Sequence, residues 1–166
     1  MEYKISKRNQ ISVLQGQIIF TVLILITICL FGFYQGFSVF LFKFFGIFYL
    51  INLGIVLFLH IQYYIEDKNK SIIISLEEKQ LIYKHKNLEK IIDFNEIQDV
   101  EMHMAPSFYV KNAFRVPFDK YHYAVIFLKS NERIIITCLM SKNVKDIFKY
   151  INIDIIRIRR FFPYIN

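Results

Sequence analysis

The chain has 166 residues, of which 55% are apolar, a formal charge of +7 at pH 7 and a mean hydropathy of +0.35. It is short for two globular domains and too apolar for an ordinary soluble one, so part of it belongs in a bilayer. Two cysteines at unrelated positions exclude a disulfide framework, and five glycines without a phosphate-loop spacing exclude the common nucleotide-binding signatures.

Residues 1–10 form a polar N-terminal segment carrying Lys4, Lys7 and Arg8. No Asp, Glu, Lys or Arg then occurs from Asn9 to Phe42, and after Lys43 none occurs before Glu66. A helix needs about 20 apolar residues to cross a hydrocarbon core of about 30 Å, so this run holds two crossings. Gly32, Tyr34, Gln35, Gly36 and Ser38 supply its one cluster of turn-prone residues. The reading is a two-helix hairpin over 11–64, with helices at about 11–33 and 38–64. Lys43 falls near the outer end of the second helix, where its stem can carry the ammonium to the headgroups; Lys43 and Asn52 facing a partner helix is the other arrangement.

The flanking cations, Lys4, Lys7 and Arg8 before and Lys68 and Lys70 after, predict an inner-membrane, multi-pass protein with both termini cytoplasmic. Tyr63 and Tyr64 are then expected at the inner interface, and Tyr34 and Lys43 at the outer one. A cleaved signal peptide is the rival reading of the first span, but no small-x-small site follows it. Cys29 and Cys138 read as buried small hydrophobes.

After a linker at 65–70, the region 71–166 changes to short β-branched runs broken by polar turns. "SIIISL", "LIYKHK", "IIDF" and "NEIQDVEMHM" read as strands. Residues 105–120, with Pro106 and Pro117, read as a long loop, followed by a hairpin of "YHYAVIFLK" and "RIIITCLM". From Ser141 the period becomes helical: Val144, Ile147, Phe148, Ile151, Ile155, Ile158 and Phe162 share a stripe and Pro163 ends it, predicting an amphipathic helix over about 141–162. The expected fold is a membrane α-helical hairpin plus a β-rich α+β domain. That domain is expected as a partly open barrel or sandwich of six to seven antiparallel strands with a C-terminal helix.

This order resembles the pleckstrin-homology-like (PH-like) domains that bacteria attach to membrane hairpins. The resemblance rests on "IIISLEEKQLIYKHK", "IIDFNEIQDVE", "AVIFLKSNERIIITCLM" and "NVKDIFKYI", over Ser71 to about Ile151. It implies a binding or assembly module and names no ligand. The layout also resembles the two-helix, β-barrel effectors of cyclic-oligonucleotide antiphage signalling. That resemblance implies the alternative function, a membrane-disrupting effector gated by a cyclic nucleotide.

No constellation carries catalysis. His60, His85, His103 and His122 lie on separate predicted elements without a second ligand at metal spacing, and Asp93, Glu96, Asp99 and Glu101 read as the solvated side of strands. The expectation is therefore a non-enzymatic protein without cofactor. Basic charge gathers in Lys111, Arg115 and Lys120 of the loop and in Arg157, Arg159 and Arg160, beside Phe161 and Phe162. These are the candidate contacts with a protein partner or anionic lipid, since cations near an anionic leaflet attract it while aromatic rings enter the interface. A homo-oligomer is a further possible partner; nucleic acid is not expected, because no binding signature accompanies the charge.

Overall fold

The computed structural model describes residues 1–36, 38–108, 116–149, 151 and 153–165, without the side chains of Gln35 and Phe108. Helix α1 spans Lys7–Gln35 and helix α2 spans Val39–Asp67. Ser6 starts α1: its backbone is extended and its hydroxyl accepts the Asn9 N–H at 3.1 Å, satisfying one of the orphan donors of the first turn. Gly36 ends it at φ 76°, a left-handed conformation that costs glycine little. Both helices are long and apolar enough to cross a membrane. Edge-on contact of Phe20 with Phe48, at 5.9 Å, and a tilted contact of Phe31 with Phe45, at 6.3 Å, join their apolar lengths.

Among the described residues eight strands make two sheets. The first has the order β1 (Glu2–Lys4), β2 (Lys70–Ser75), β3 (Gln80–His85) and β4 (Leu88–Asp93), antiparallel throughout. In the second, β5 (Ile97–Met104), β6 (His122–Leu128), β7 (Arg133–Thr137) and β8 (Ile155–Arg159) lie in the order β7-β6-β5-β8. β8 runs parallel to β5. The inner faces meet in a core in which Ile72, Ile74, Leu81 and Ile92 oppose Val100, Met102, Ala124, Ile126 and Ile136. Each large side chain so buried contributes about 1.5–3 kcal/mol relative to exposure. A one-turn helix, α3 (Lys145–Phe148), inserts Ile147 and Phe148, with Val144 and Ile151 beside it, into the same core.

The second sheet has a second core on its other face. Val13 of α1 and Val56, Leu59 and Tyr63 of α2 pack there with Tyr121, Tyr123, Val125, Cys138 and Leu139. β6 is therefore buried on both faces, Ala124, Ile126 and Leu128 toward one core and Tyr123 and Val125 toward the other.

Four expectations are corrected. The region expected as a helix over 141–162 holds only α3 and then β8, because the open edge of β5 offers a row of backbone partners and the β-branched "IIRIR" suits a strand. Ile155 serves the core either way, which is why the helical stripe misled. The N-terminal segment, expected to stand apart from the 71–166 domain, contributes a strand to it: β1 pairs with β2, and the Met1 ammonium donates to the Ile74 carbonyl at 2.8 Å. The linker at 65–70 has all but vanished, since α2 continues to Asp67 and β2 begins at Lys70. The strand count is eight, with one parallel pair, in place of six to seven antiparallel strands.

Candidate functional site at the helix–sheet junction

The stripe Asn52, Val56, Leu59, Tyr63 and Asp67 repeats at helical spacing and is the buried side of α2. It carries the inner end of the hairpin across the second sheet. Tyr63, expected at the headgroup level, is wholly interior. Its hydroxyl donates to the Pro163 carbonyl at 2.5 Å and its ring meets Tyr121 and Tyr123 edge-on at 5.3 and 6.1 Å. Tyr64, the next residue along the helix and off the buried stripe, remains exposed, as do Lys43 and, at the hairpin tip, Tyr34.

The C-terminal residues close this junction. Gln62 grips Ile165 both ways, its amide nitrogen donating to the Ile165 carbonyl at 2.6 Å and its oxygen accepting the Ile165 N–H at 3.1 Å. Tyr123 donates to the Tyr164 carbonyl at 3.1 Å. Phe162 stacks on Phe118 at 4.8 Å, and Phe161 meets both rings edge-on at 5.7 and 5.6 Å while staying 61% exposed.

Lys120 reaches α1, donating to the Ser12 carbonyl at 3.2 Å and to Gln15 Oε1 at 2.7 Å. Beside it the chain comes so close to α1 that a Cβ on Gly16 would lie 2.7 Å from the Pro117 carbonyl oxygen. Only glycine fits there. Asp119 turns inward to accept the Val116 N–H at 3.0 Å. Between α1 and this turn lies a groove of about 680 Å³, lined among others by Ile19, Phe20 and Leu23 on the apolar side and by Gln15, Ser107 and Lys120 on the polar side.

Of the residues singled out in the sequence, Phe161 and Phe162 come together on Phe118, while Lys120, two residues further along the turn, reaches α1. Arg157 and Arg159 stand exposed on β8, an edge strand, and the Arg160 N–H donates to the Met104 carbonyl at 3.0 Å, extending the β5 pairing by one step. Lys111 and Arg115 lie outside the described residues. Sequence reasoning missed Gln15, Gly16, Phe118 and Tyr121. A glycine inside an apolar helix was the one available hint of close backbone approach.

Polar groups in the junction are few and deep. Asp67 is fully buried and accepts the Thr137 hydroxyl at 2.5 Å, while its other oxygen has no hydrogen-bond partner among the described residues. Glu66 and Lys70 form an ion pair one turn apart. His122 is enclosed and donates through Nδ1 to the Lys120 carbonyl at 2.8 Å, with burial pushing its pKa down to about 4. Burial, assisted by Arg160, also lowers His103, whose ring stacks on Tyr123 at 4.5 Å. Burial pushes the Cys138 thiol up to about 12, so it is a thiol and not a thiolate nucleophile. Among the described residues no three His, Cys, Asp or Glu side chains converge as metal ligands. The junction is built for packing and contact.

Residues 2–149 match a family model described as a PH domain. The chain belongs to the PH-domain family. The match runs from β1 through both helices to α3, so the hairpin lies within the matched region, between β1 and β2 in chain order. No curated protein and no solved structure matches the chain. PH domains are typically non-enzymatic binding or assembly modules that take lipids or proteins as partners.

Proposed function

We propose that this PH-domain protein is a non-enzymatic binding module tethered in the inner membrane by α1 and α2, with both termini cytoplasmic. It presents a collar of Lys120, Arg157, Arg159, Arg160, Phe161 and Phe162 to the anionic leaflet. The observation that carries the reading is the double use of the helices: Val13, Val56, Leu59 and Tyr63 belong to the domain core, whereas Ile18, Leu23, Ile47 and Leu50 stay exposed. Such apolar surface is at home in lipid, and the core contacts hold the domain against the bilayer rather than on a flexible leash. Each cation near an anionic surface then contributes about 1 kcal/mol, and the exposed Phe161 ring has apolar surface to bury in the interface.

The chain contains no tryptophan, so a Phe161→Trp variant is a single reporter. In membranes prepared from cells expressing it, the chain should resist extraction by alkaline carbonate, and brominated lipids should quench the Trp emission. Release into the carbonate supernatant would overturn the tether. Emission indifferent to brominated lipid would overturn the collar.

A further inference from the structure

We infer that Asp67 is a proton-binding site: its carboxyl is protonated while α2 is clasped to the second sheet, and loss of the proton loosens the clasp. The helix–sheet junction thereby responds to pH. This goes beyond the tether proposed above, because it requires only that α2 pack on the sheet.

Three features of the site disfavour a charge on it. Asp67 is wholly buried, and only Oδ2 has a partner, the Thr137 hydroxyl at 2.5 Å; Oδ1 has none among the described residues. A carboxylate taken out of water needs several hydrogen bonds to replace its hydration, whereas the neutral acid loses far less. Asp67 is also the last residue of α2, where the helix dipole presents its negative end. Nor do the nearby charges balance. Glu66 holds the Lys70 ammonium, so two carboxylates share one cation, and a proton on Asp67 restores neutrality. Tyr63 on α2, Tyr83 on β3 and Cys138 after β7 also face the carboxylate, and none of them is charged near pH 7. Asp67 follows the charge-free stretch, which ends before Glu66, and sits against β7, so it belongs to the domain. Burial, with Glu66 assisting and Thr137 and Lys70 opposing, raises its pKa from 3.8 to about 7.

The site is wired to both helices. The Thr137 hydroxyl that meets Asp67 accepts the Leu139 N–H at 3.2 Å, and the Leu139 and Met140 carbonyls accept the Asn9 side-chain amide of α1 at 3.3 and 2.9 Å. One run of sheet residues, 137–140, thus holds the inner ends of α1 and α2. An ionised Asp67 must be hydrated, and for water to reach it that run has to give way.

The test follows the full chain in detergent by infrared spectroscopy, in which a protonated carboxyl is distinct from a carboxylate, and by denaturant unfolding. At about pH 6 the wild type should show a carboxylic-acid C=O band that Asp67→Asn, an isostere of the neutral acid, removes. The band should vanish as pH rises through about 7. Glu66→Gln, which takes away the neighbouring carboxylate, should move that midpoint to lower pH, whereas Asp93→Asn, at an exposed position, should leave it in place. Between pH 3.8 and about 7 the folded chain holds a proton that the unfolded chain releases, so the stabilisation is complete below 3.8 and lost as pH rises through about 7. From about pH 6 to about pH 8.5 the ratio of folded to unfolded wild type should therefore fall about tenfold relative to Asp67→Asn, and amides of residues 137–140 should exchange faster than in that variant. Absence of the acid band at pH 6, its survival in Asp67→Asn, a midpoint unmoved by Glu66→Gln, or parallel stability profiles for wild type and Asp67→Asn would each overturn the proton site. Equal exchange of residues 137–140 in the two chains would overturn the loosening.

Discussion

The two sheets are made of similar alternating strands, yet one has a single buried face and the other has two. Across the outside of the first sheet, Ile73 pairs with Ile82 and Ile82 with Ile91, forming an apolar row that ends in solvent, with Ile91 57% exposed. On the corresponding side of the second sheet, Tyr123 and Val125 are covered by Leu59 and Tyr63 of α2. The difference comes from the hairpin, which is inserted between β1 and β2 and folds its inner end over the partner sheet. The two helices therefore supply one side of a core, and helices and sheet share it.

Breaking the covered side should cost most. Leu59→Ala removes a fully buried side chain between helix and sheet and should destabilise by about 2–5 kcal/mol in denaturant unfolding of the detergent-solubilised chain. A cost below that of an exposed substitution would show that the helix merely rests on the sheet.

Acid should come next. His122 has a folded pKa of about 4 against an ordinary 6.5, so between those values the unfolded chain binds a proton that the folded chain refuses. Its stabilising contribution is present above pH 6.5 and lost as pH falls toward 4, by about 3 kcal/mol in all. The lowered His103 acts in the same direction. Because other buried groups titrate in the same window, the readout is the comparison: from pH 7 down to 4 the wild-type unfolding midpoint should fall relative to that of His122→Gln.

Gly16→Ala sharpens the comparison at the rim of the covered face. Its Cβ would sit 2.7 Å from the Pro117 carbonyl oxygen, so the turn must move, at about 1–3 kcal/mol. Gly46→Ala is the matched control, because a Cβ there meets nothing within 4 Å. Equal melting temperatures for the two variants would contradict the close approach.

The smallest effect belongs to the uncovered sheet. Ile91→Ala should change stability by no more than about 0.5 kcal/mol, as expected of an exposed position. A loss comparable to that of Leu59→Ala would mean that the isoleucine row is covered in solution.

Several of these features were legible before any coordinates. The charge-free stretch on either side of Lys43 announced two helices of spanning length, and Gly36 with its polar neighbours marked the turn between them. The apolar, β-branched runs "YHYAVIFLK" and "RIIITCLM" on either side of the polar turn "SNE" announced the β6–β7 hairpin, because such runs are strand-forming whichever faces they bury. These are local consequences of backbone geometry and solvent preference, and composition alone determines them.

Other features depended on partners distant in the chain. Tyr63 was read as an interface residue because a helix apolar on every side does not say which stripe meets protein; the outer face of β6 and β7 made that choice. The segment 155–159 could close a core as helix or as strand, and the vacant edge of β5 decided for the strand. Met1 to Lys4 carries too short a pattern to announce a strand, and β1 exists because β2, some seventy residues later, offers it hydrogen bonds. The groove beside Gly16 has the same origin: α1 and the 116–120 turn are a hundred residues apart, and only their approach brings Lys120 to an aliphatic wall. Sequence by itself determined which segments must leave water and which must alternate. The tertiary structure decided what each of them faces, since burial on a shared surface depends on the partner as much as on the residue.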